Sequence, residues 1–335
     1  DAWYTAFALR CLELTGGIRY SDESADGDLD LDFTLFSFFD QSIPPDGIPD
    51  DFHFVAQDRR KKSFDGTTWL ASLSYALTPE VQTYATISTG FKAGGFPLAA
   101  ADTASFQSYN NEKSTNHEIG VKGSLFGDTV RFDSSIFYID IADQQLTTAI
   151  MVTLPGGGPP VPVATEANAG QSHSQGFDLN FTAYPTAHLK LDAAIGYVDS
   201  QFDDYADQTG FQHAGEEFRF TPKWTTRLSG EYTFELSDTG LELSLYGAYR
   251  FVDEYRQGFG VFADPEFAID SYNIVDVSTT LRGESWQFQI FADNVTDEYV
   301  ETRAWNAFFF LPDGSRAFST VMPPRRVGAR LTVEF

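Results

Sequence analysis

Basic residues are scarce in this chain: 22 Lys and Arg stand against 48 Asp and Glu, a net charge of −26. That balance argues against nucleic-acid binding, because phosphate contacts need a basic face. A single cysteine, Cys11, excludes an intrachain disulfide framework and any Cys-based zinc or iron–sulfur site. Apolar residues make up 42 %, too many for disorder, yet no run approaches the ~20 uninterrupted apolar residues of a membrane-spanning helix. Catalytic signatures are missing as well: there is no G-x-S-x-G, no P-loop and no Cys pair. His117-Glu118 opens like the metalloprotease H-E-x-x-H, but Val121 stands where the second His belongs. Gly258-Phe259-Gly260 has no helix pattern after it, so it carries no dinucleotide reading. No initiator Met, signal peptide or lipidation motif is visible, and the patterned segment Ala2–Phe7 starts at once, as in a mature chain or a fragment.

Aromatic residues are abundant at 16 %, mostly 32 Phe and 15 Tyr. Helical periodicity is nearly absent, and period-two alternation recurs along the whole chain. In 224–234, Trp224, Leu228, Tyr232 and Phe234 share one face; Thr225, Arg227, Ser229, Glu231 and Thr233 share the other. Leu241–Phe251, Phe177–Ala183, Leu189–Asp199, Trp69–Leu77, Val130–Asp140 and Val275–Arg282 follow the same pattern. Each is about 9–12 residues long, the length of a tilted strand across a bilayer. Short turns such as Thr78-Pro79-Glu80, Phe126-Gly127-Asp128 and Gly283-Glu284-Ser285 follow one strand end. Long polar segments follow the other: 21–61, 91–115, 148–174, 201–221, 253–270 and 304–324. Short turns at one rim and long loops at the other are the arrangement of outer-membrane barrels. Trp69, Trp224, Phe234 and Trp286 sit near strand ends, where an interfacial girdle places them. The expectation is an all-β, antiparallel transmembrane β-barrel with about thirteen strands over residues 1–335. An odd count leaves an edge unpaired, so the segment reads as the C-terminal part of a larger barrel.

Several segments resemble the TonB-dependent outer-membrane receptor family. Leu12–Glu23 is similar to that family's L-T-x-G-x-R-Y strand, and Tyr84–Phe96 to its most recognisable barrel segment. Glu112–Lys122 resembles the E-x-G-x-K strand; Gln175–Asp178 resembles another strand start, with Asp178 in the usual Glu place. Asp293–Tyr299 and Pro324–Phe335 resemble the last hairpin. The resemblance implies a barrel of about 22 strands, a plug and a TonB box; the last thirteen strands fall here, with plug and early strands absent. The first hairpin departs from the pattern, because 8–12 leaves almost no room for a turn.

The resemblance implies a receptor for TonB-energised uptake of a large scarce solute, with a ferric siderophore first and haem, cobalamin or an oligosaccharide behind it. A passive porin-like channel is the alternative from another class, and an enzyme is not expected. The implied partners are the TonB energising complex, the barrel-assembly machinery reading the strand that ends at Phe335, and outer-membrane lipid with lipopolysaccharide. No cofactor is expected beyond a candidate structural Ca²⁺ at Asp22, Asp26 and Asp28, which fit the first half of a calcium loop although Phe33 replaces the bidentate Glu. A solvated acidic loop is the competing reading. Lumen-facing Arg131, Lys122, Lys190, Arg227, Arg250 and Arg282 alternate with Asp133, Glu118, Asp192, Glu231 and Glu242, which reads first as cross-strand charge pairing. Loop aromatics offer flat apolar surface to a bulky chelate, and Phe96, Phe106, Tyr109, Phe211, Phe259, Trp305 and Phe309 are the candidate ligand contacts. His53 and His213 are candidate contacts to a bound metal chelate.

Overall fold

A computed structural model describes residues 2–9, 11–36, 51–97, 106–152, 161–168, 170–206, 212–237, 239–257, 268–306 and 316–334. Among them, period-two alternation becomes one 13-stranded antiparallel sheet in which neighbours follow chain order. Its strands are β1 (Ala2–Leu9), β2 (Leu12–Phe36), β3 (Asp51–Ala76), β4 (Val81–Lys92), β5 (Glu112–Leu125), β6 (Val130–Ala142) and β9 (Gln171–Thr186). It continues through β10 (Leu189–Asp204), β11 (Trp224–Leu236), β12 (Leu241–Val252), β15 (Tyr272–Arg282), β16 (Trp286–Asp293) and β19 (Arg326–Val333). The strand count matches the alternation read from sequence.

One face is apolar and exposed: Leu14, Ile18, Trp69, Leu73, Ile87, Ile119, Ile136, Leu228, Leu245, Ile290 and Leu331 lie on it. A continuous apolar surface across a whole sheet marks contact with lipid. The opposite face is held by polar cross-strand pairs. Ser72 and Thr86 hydroxyls are 2.8 Å apart, the Thr182 hydroxyl donates to Asp192 (2.8 Å), and Tyr84 donates to Glu118 (2.7 Å). Of the residues expected to pair across strands, Lys190 meets Asp192 of its own strand β10 at 3.1 Å. Arg250 instead lies 3.8 Å from Asp276, and Arg282 donates to Gln287 (3.2 Å). Aromatic side chains bracket the apolar band. At the loop rim Phe177, Tyr197 and Trp224 pack ring to ring, with Tyr197 and Trp224 centroids 4.7 Å apart. At the turn rim Tyr75, Phe126, Tyr184, Tyr232 and Phe234 are exposed.

In the first hairpin Leu9 pairs with Leu12, and the register shifts at a bulge between Thr5 and Phe7. The loops depart more from expectation. Segment 21–61, read as a loop, largely continues β2 and β3, which pair in unbroken register from Leu12↔Tyr75 to Phe36↔Asp51. Backbone pairing needs no apolar face, and opposite charges fall across from each other in Asp26↔Lys61 and Asp28↔Arg59. Three other loops carry small sheets: β7 (Gln145–Val152) with β8 (Val161–Asn168), β13 (Tyr255–Arg256) with β14 (Ala268–Ile269), and β17 (Glu301–Asn306) with β18 (Arg316–Val321).

Candidate functional site

Beyond the apolar band, β2 and β3 still alternate their side chains between the two faces. Gly27 and Leu29 of β2 and Arg60, Lys62 and Phe64 of β3 continue the polar face, and Gly27 is paired with Arg60. The segment between β4 and β5 folds back onto this wall. Phe96 and Phe106 stack at 5.4 Å between centroids and lie directly over Gly27, where the missing side chain makes room for both rings. Phe106 and Phe64 are buried, 3 % and 4 % exposed. The Arg60 guanidinium sits 5.8 Å from the Phe106 centroid and donates to Asp58 (2.8 Å) and Gln107 (2.9 Å). Lys62 Nζ lies 5.1 Å from the Phe64 centroid and donates to Ser108 (3.1 Å) and Asn110 (3.2 Å).

Side-chain amides pin the fold-back. Asn111 Oδ1 accepts the Gly94 N–H (2.9 Å), while its amide donates to the Asp65 carbonyl (2.8 Å). Gln145 Nε2 donates to the carbonyls of Lys92 (3.2 Å), Ala93 (2.9 Å) and Asn110 (3.1 Å). Tyr109 and Gly95 exchange backbone hydrogen bonds of 2.9 and 3.3 Å. Burial raises the Tyr109 phenol pKa, and Glu166 adds to the rise. The result is a fixed wall of ring faces with two cations across it. Chemically it suits a planar, anionic solute, through π contact together with charge-assisted hydrogen bonds.

Three of the seven expected contacts therefore come together here, Phe96, Phe106 and Tyr109, with Phe106 as the buried support under Phe96 and Arg60. Trp305 lies in β17, paired with Phe318. Phe211, Phe259, Phe309 and Phe335 lie outside the described residues. Asp22, Asp26 and Asp28 fall on a strand rather than in a loop, all on the outer side of β2, with Lys61 3.6 Å from Asp26 and Arg59 2.6 Å from Asp28. An extended backbone spreads these carboxylates instead of wrapping them round an ion. Among the described residues no group of three or more His, Cys, Asp or Glu is placed to hold a metal. His213 is 2 % exposed; it stacks on Tyr205 at 4.9 Å and faces Glu216 at 3.2 Å inside a loop core, away from any passing solute. Arg60 and Lys62 are new as site residues. Their signal was the run Arg59-Arg60-Lys61-Lys62, in which strand parity sends Arg60 and Lys62 to the wall and Arg59 and Lys61 to the outside.

A family model described as TonB dependent receptor-like, beta-barrel matches residues 9–295. The chain belongs to the TonB-dependent receptor family. Among curated relatives, the metal-pseudopaline receptor CntO of Pseudomonas aeruginosa is 24 % identical over 248 residues, covering 72 % of this chain and 31 % of that receptor. Among solved structures, the ferric yersiniabactin uptake receptor FyuA from Yersinia pestis superposes with a TM-score of 0.74 at 19 % identity, over 98 % of this chain and 44 % of that one. The copper transporter OprC superposes with a TM-score of 0.64 at 16 % identity, over 99 % of this chain and 47 % of that one. This chain thus spans 31 % of the length of that curated relative and under half of either solved structure. It is an outer-membrane β-barrel segment of a Gram-negative bacterium, its apolar face toward lipid and its polar face toward the lumen. The rim of long loops is then the extracellular one, and the wall of Arg60, Lys62, Phe96 and Tyr109 stands at the mouth of the lumen.

Proposed function

We propose that this chain is part of a receptor for TonB-energised uptake of a large scarce solute, and that the solute is a ferric siderophore. The observation that carries the reading is the mouth wall: Phe96 stacked on Phe106, with Arg60 and Lys62 across the same surface. A ferric chelate presents flat, electron-rich ligand groups with anionic character, which ring faces and cations both attract. The site performs no covalent chemistry in this reading; it captures the solute and gives specificity. Energy comes from the TonB complex acting on parts of the receptor outside this chain. The barrel-assembly machinery reads the strand ending at Phe335, and lipopolysaccharide surrounds the outer rim.

The test is uptake of radiolabelled iron as siderophore chelates by cells expressing the complete receptor, with and without TonB. TonB-dependent accumulation of one chelate supports the proposal. Uptake that ignores TonB would point to passive conduction, and uptake confined to haem, cobalamin, copper or an oligosaccharide would replace the solute.

A further inference from the structure

The run Arg59-Arg60-Lys61-Lys62 sets four cations in a row, and three of them meet a carboxylate. Arg59 lies 2.6 Å from Asp28, Arg60 2.7 Å from Asp58, and Lys61 3.6 Å from Asp26. Lys62 differs: among the described residues its ammonium contacts only neutral groups. It donates to Ser108 Oγ (3.1 Å) and Asn110 Oδ1 (3.2 Å), and lies 5.1 Å from the Phe64 centroid. An ammonium carries three N–H donors. Two neutral oxygens therefore aim this one while leaving its charge uncompensated and its last donor available. Carboxylates of the neighbouring elements are engaged elsewhere: Glu112 accepts the Gln145 N–H (2.7 Å), and Glu166 lies beside Tyr109.

Asn110 is itself held from another loop. Asn168, at the foot of β8 and 58 residues away in sequence, meets the Asn110 backbone at two points. Its Oδ1 accepts the Asn110 N–H (2.7 Å), and its Nδ2 donates to the Asn110 carbonyl (3.0 Å). A carboxamide carries a donor and an acceptor side by side, as a peptide group does, so it grips Asn110 as a strand partner would. Asn168 Nδ2 also reaches the Asp143 carbonyl (2.8 Å), which ties it to the start of the hairpin. Gln145, paired with Asn168 across the hairpin base, adds a further bond to the Asn110 carbonyl (3.1 Å). The β7–β8 hairpin thus fixes the residue that aims Lys62.

Resting on the reading of the mouth wall as the solute site, we propose that Lys62 is its specificity-determining charge, selecting chelates of net negative charge over neutral ones, and that Asn168 is the positioning residue that aims Lys62 through Asn110. A cation already held in place loses little freedom when the solute arrives, and its neutral surroundings leave the charge for the solute to meet.

Calorimetry on the complete receptor with two ferric chelates, an anionic tris-catecholate and a neutral tris-hydroxamate, tests both roles. Wild type should bind the anionic chelate more tightly. Lys62→Gln should lower the ratio of anionic to neutral affinity about tenfold, the worth of one hydrogen bond to a charged group. Lys61→Gln removes the same charge from the outer side and should change that ratio by less than about twofold. Asn168→Ala should lower the ratio on the order of fivefold. The same change in the Lys62→Gln receptor should lower it no further, because there is no charge left to aim. Heat-modifiable migration checks that each variant has folded, and the comparison of Lys62→Gln with Lys61→Gln decides the selectivity even if Asn168→Ala misfolds. A wild type that prefers the neutral chelate, equal losses in Lys61→Gln and Lys62→Gln, or an Asn168→Ala loss that is the same in both backgrounds overturns the inference. A wild type that binds no ferric chelate refutes the siderophore reading beneath it, and the selectivity falls with that reading.

Discussion

Replacing Gly27 by Ala is the sharpest test of the mouth wall. The added methyl would lie 2.6 Å from Phe96 Cγ and 2.8 Å from Phe106 Cζ. Carbon atoms in contact sit about 3.5–4.0 Å apart, so both rings must retreat by roughly 1 Å. Phe106, at 3 % exposure, has little space to retreat into. Overpacking of this kind costs about 1–3 kcal/mol. The clash lies in the extension of β2 beyond the membrane band, so the cost should appear as opening of 92–111 and not as loss of the barrel. If a solute binds the closed wall, the same energy weakens binding by about 5- to 150-fold, at 1.4 kcal/mol per factor of ten. Calorimetry with the ferric chelate on the complete receptor measures the affinity, and hydrogen exchange over 92–111 measures the opening. Gly247→Ala is the control, because a Cβ there meets nothing within 4 Å. Faster exchange without weaker binding would leave the packing intact as an explanation and remove the wall from the binding site. Unchanged exchange and unchanged affinity, or an equal loss in Gly247→Ala, would show that Gly27 is not the seat of the two rings.

Three further outcomes follow from the same geometry. Arg60→Ala should weaken an anionic chelate by about tenfold, the worth of one hydrogen bond to a charged group. Arg59→Ala should change binding little, because its side chain is 81 % exposed on the outer side; a titration in which the two variants behave alike would contradict the parity assignment. Asn111→Ala removes the partners of the Gly94 N–H and the Asp65 carbonyl, and should cost about 1–3 kcal/mol locally. Limited proteolysis should then cut within 92–111, and undiminished resistance would show that the amide pins nothing. Ile119→Arg places a charge on the lipid face, where Ile119 is 56 % exposed, and should destabilise the barrel by about 2–4 kcal/mol in urea unfolding from vesicles. Wild-type stability there would mean that this face does not meet hydrocarbon.

The acidic stretch after Tyr20 illustrates how strand and loop can look alike in sequence. On the outer side of β2 the residues run Leu14, Ile18, Tyr20 and then Asp22, Asp26, Asp28; on β3 they run Leu73, Trp69, Thr67 and then Asp65, Lys61, Arg59. The backbone ladder does not change at Tyr20, but the solvent does. Below that level one face meets lipid, and alternation is strong. Above it both faces meet water, so polar residues on both sides resemble a loop, and acids spaced for ion pairing resemble a calcium motif.

Within the bilayer, sequence alone determined the fold. Lipid on one face and a wet lumen on the other impose period two on every strand, each hairpin is a local event, and the thirteen strands follow in chain order. Sequence also marked Phe96, Phe106 and Tyr109 as aromatics of a long loop and candidate ligand contacts. Only the tertiary structure decided what they meet there. Gly27 lies far from them along the chain and shows nothing in its own neighbourhood to mark it as a seat for two rings. Arg60 and Lys62 reach the same wall because an unbroken β2–β3 register extends strand parity above the membrane. Contacts of this kind depend on which strands lie side by side and at what register, a relation between distant segments that no local periodicity records.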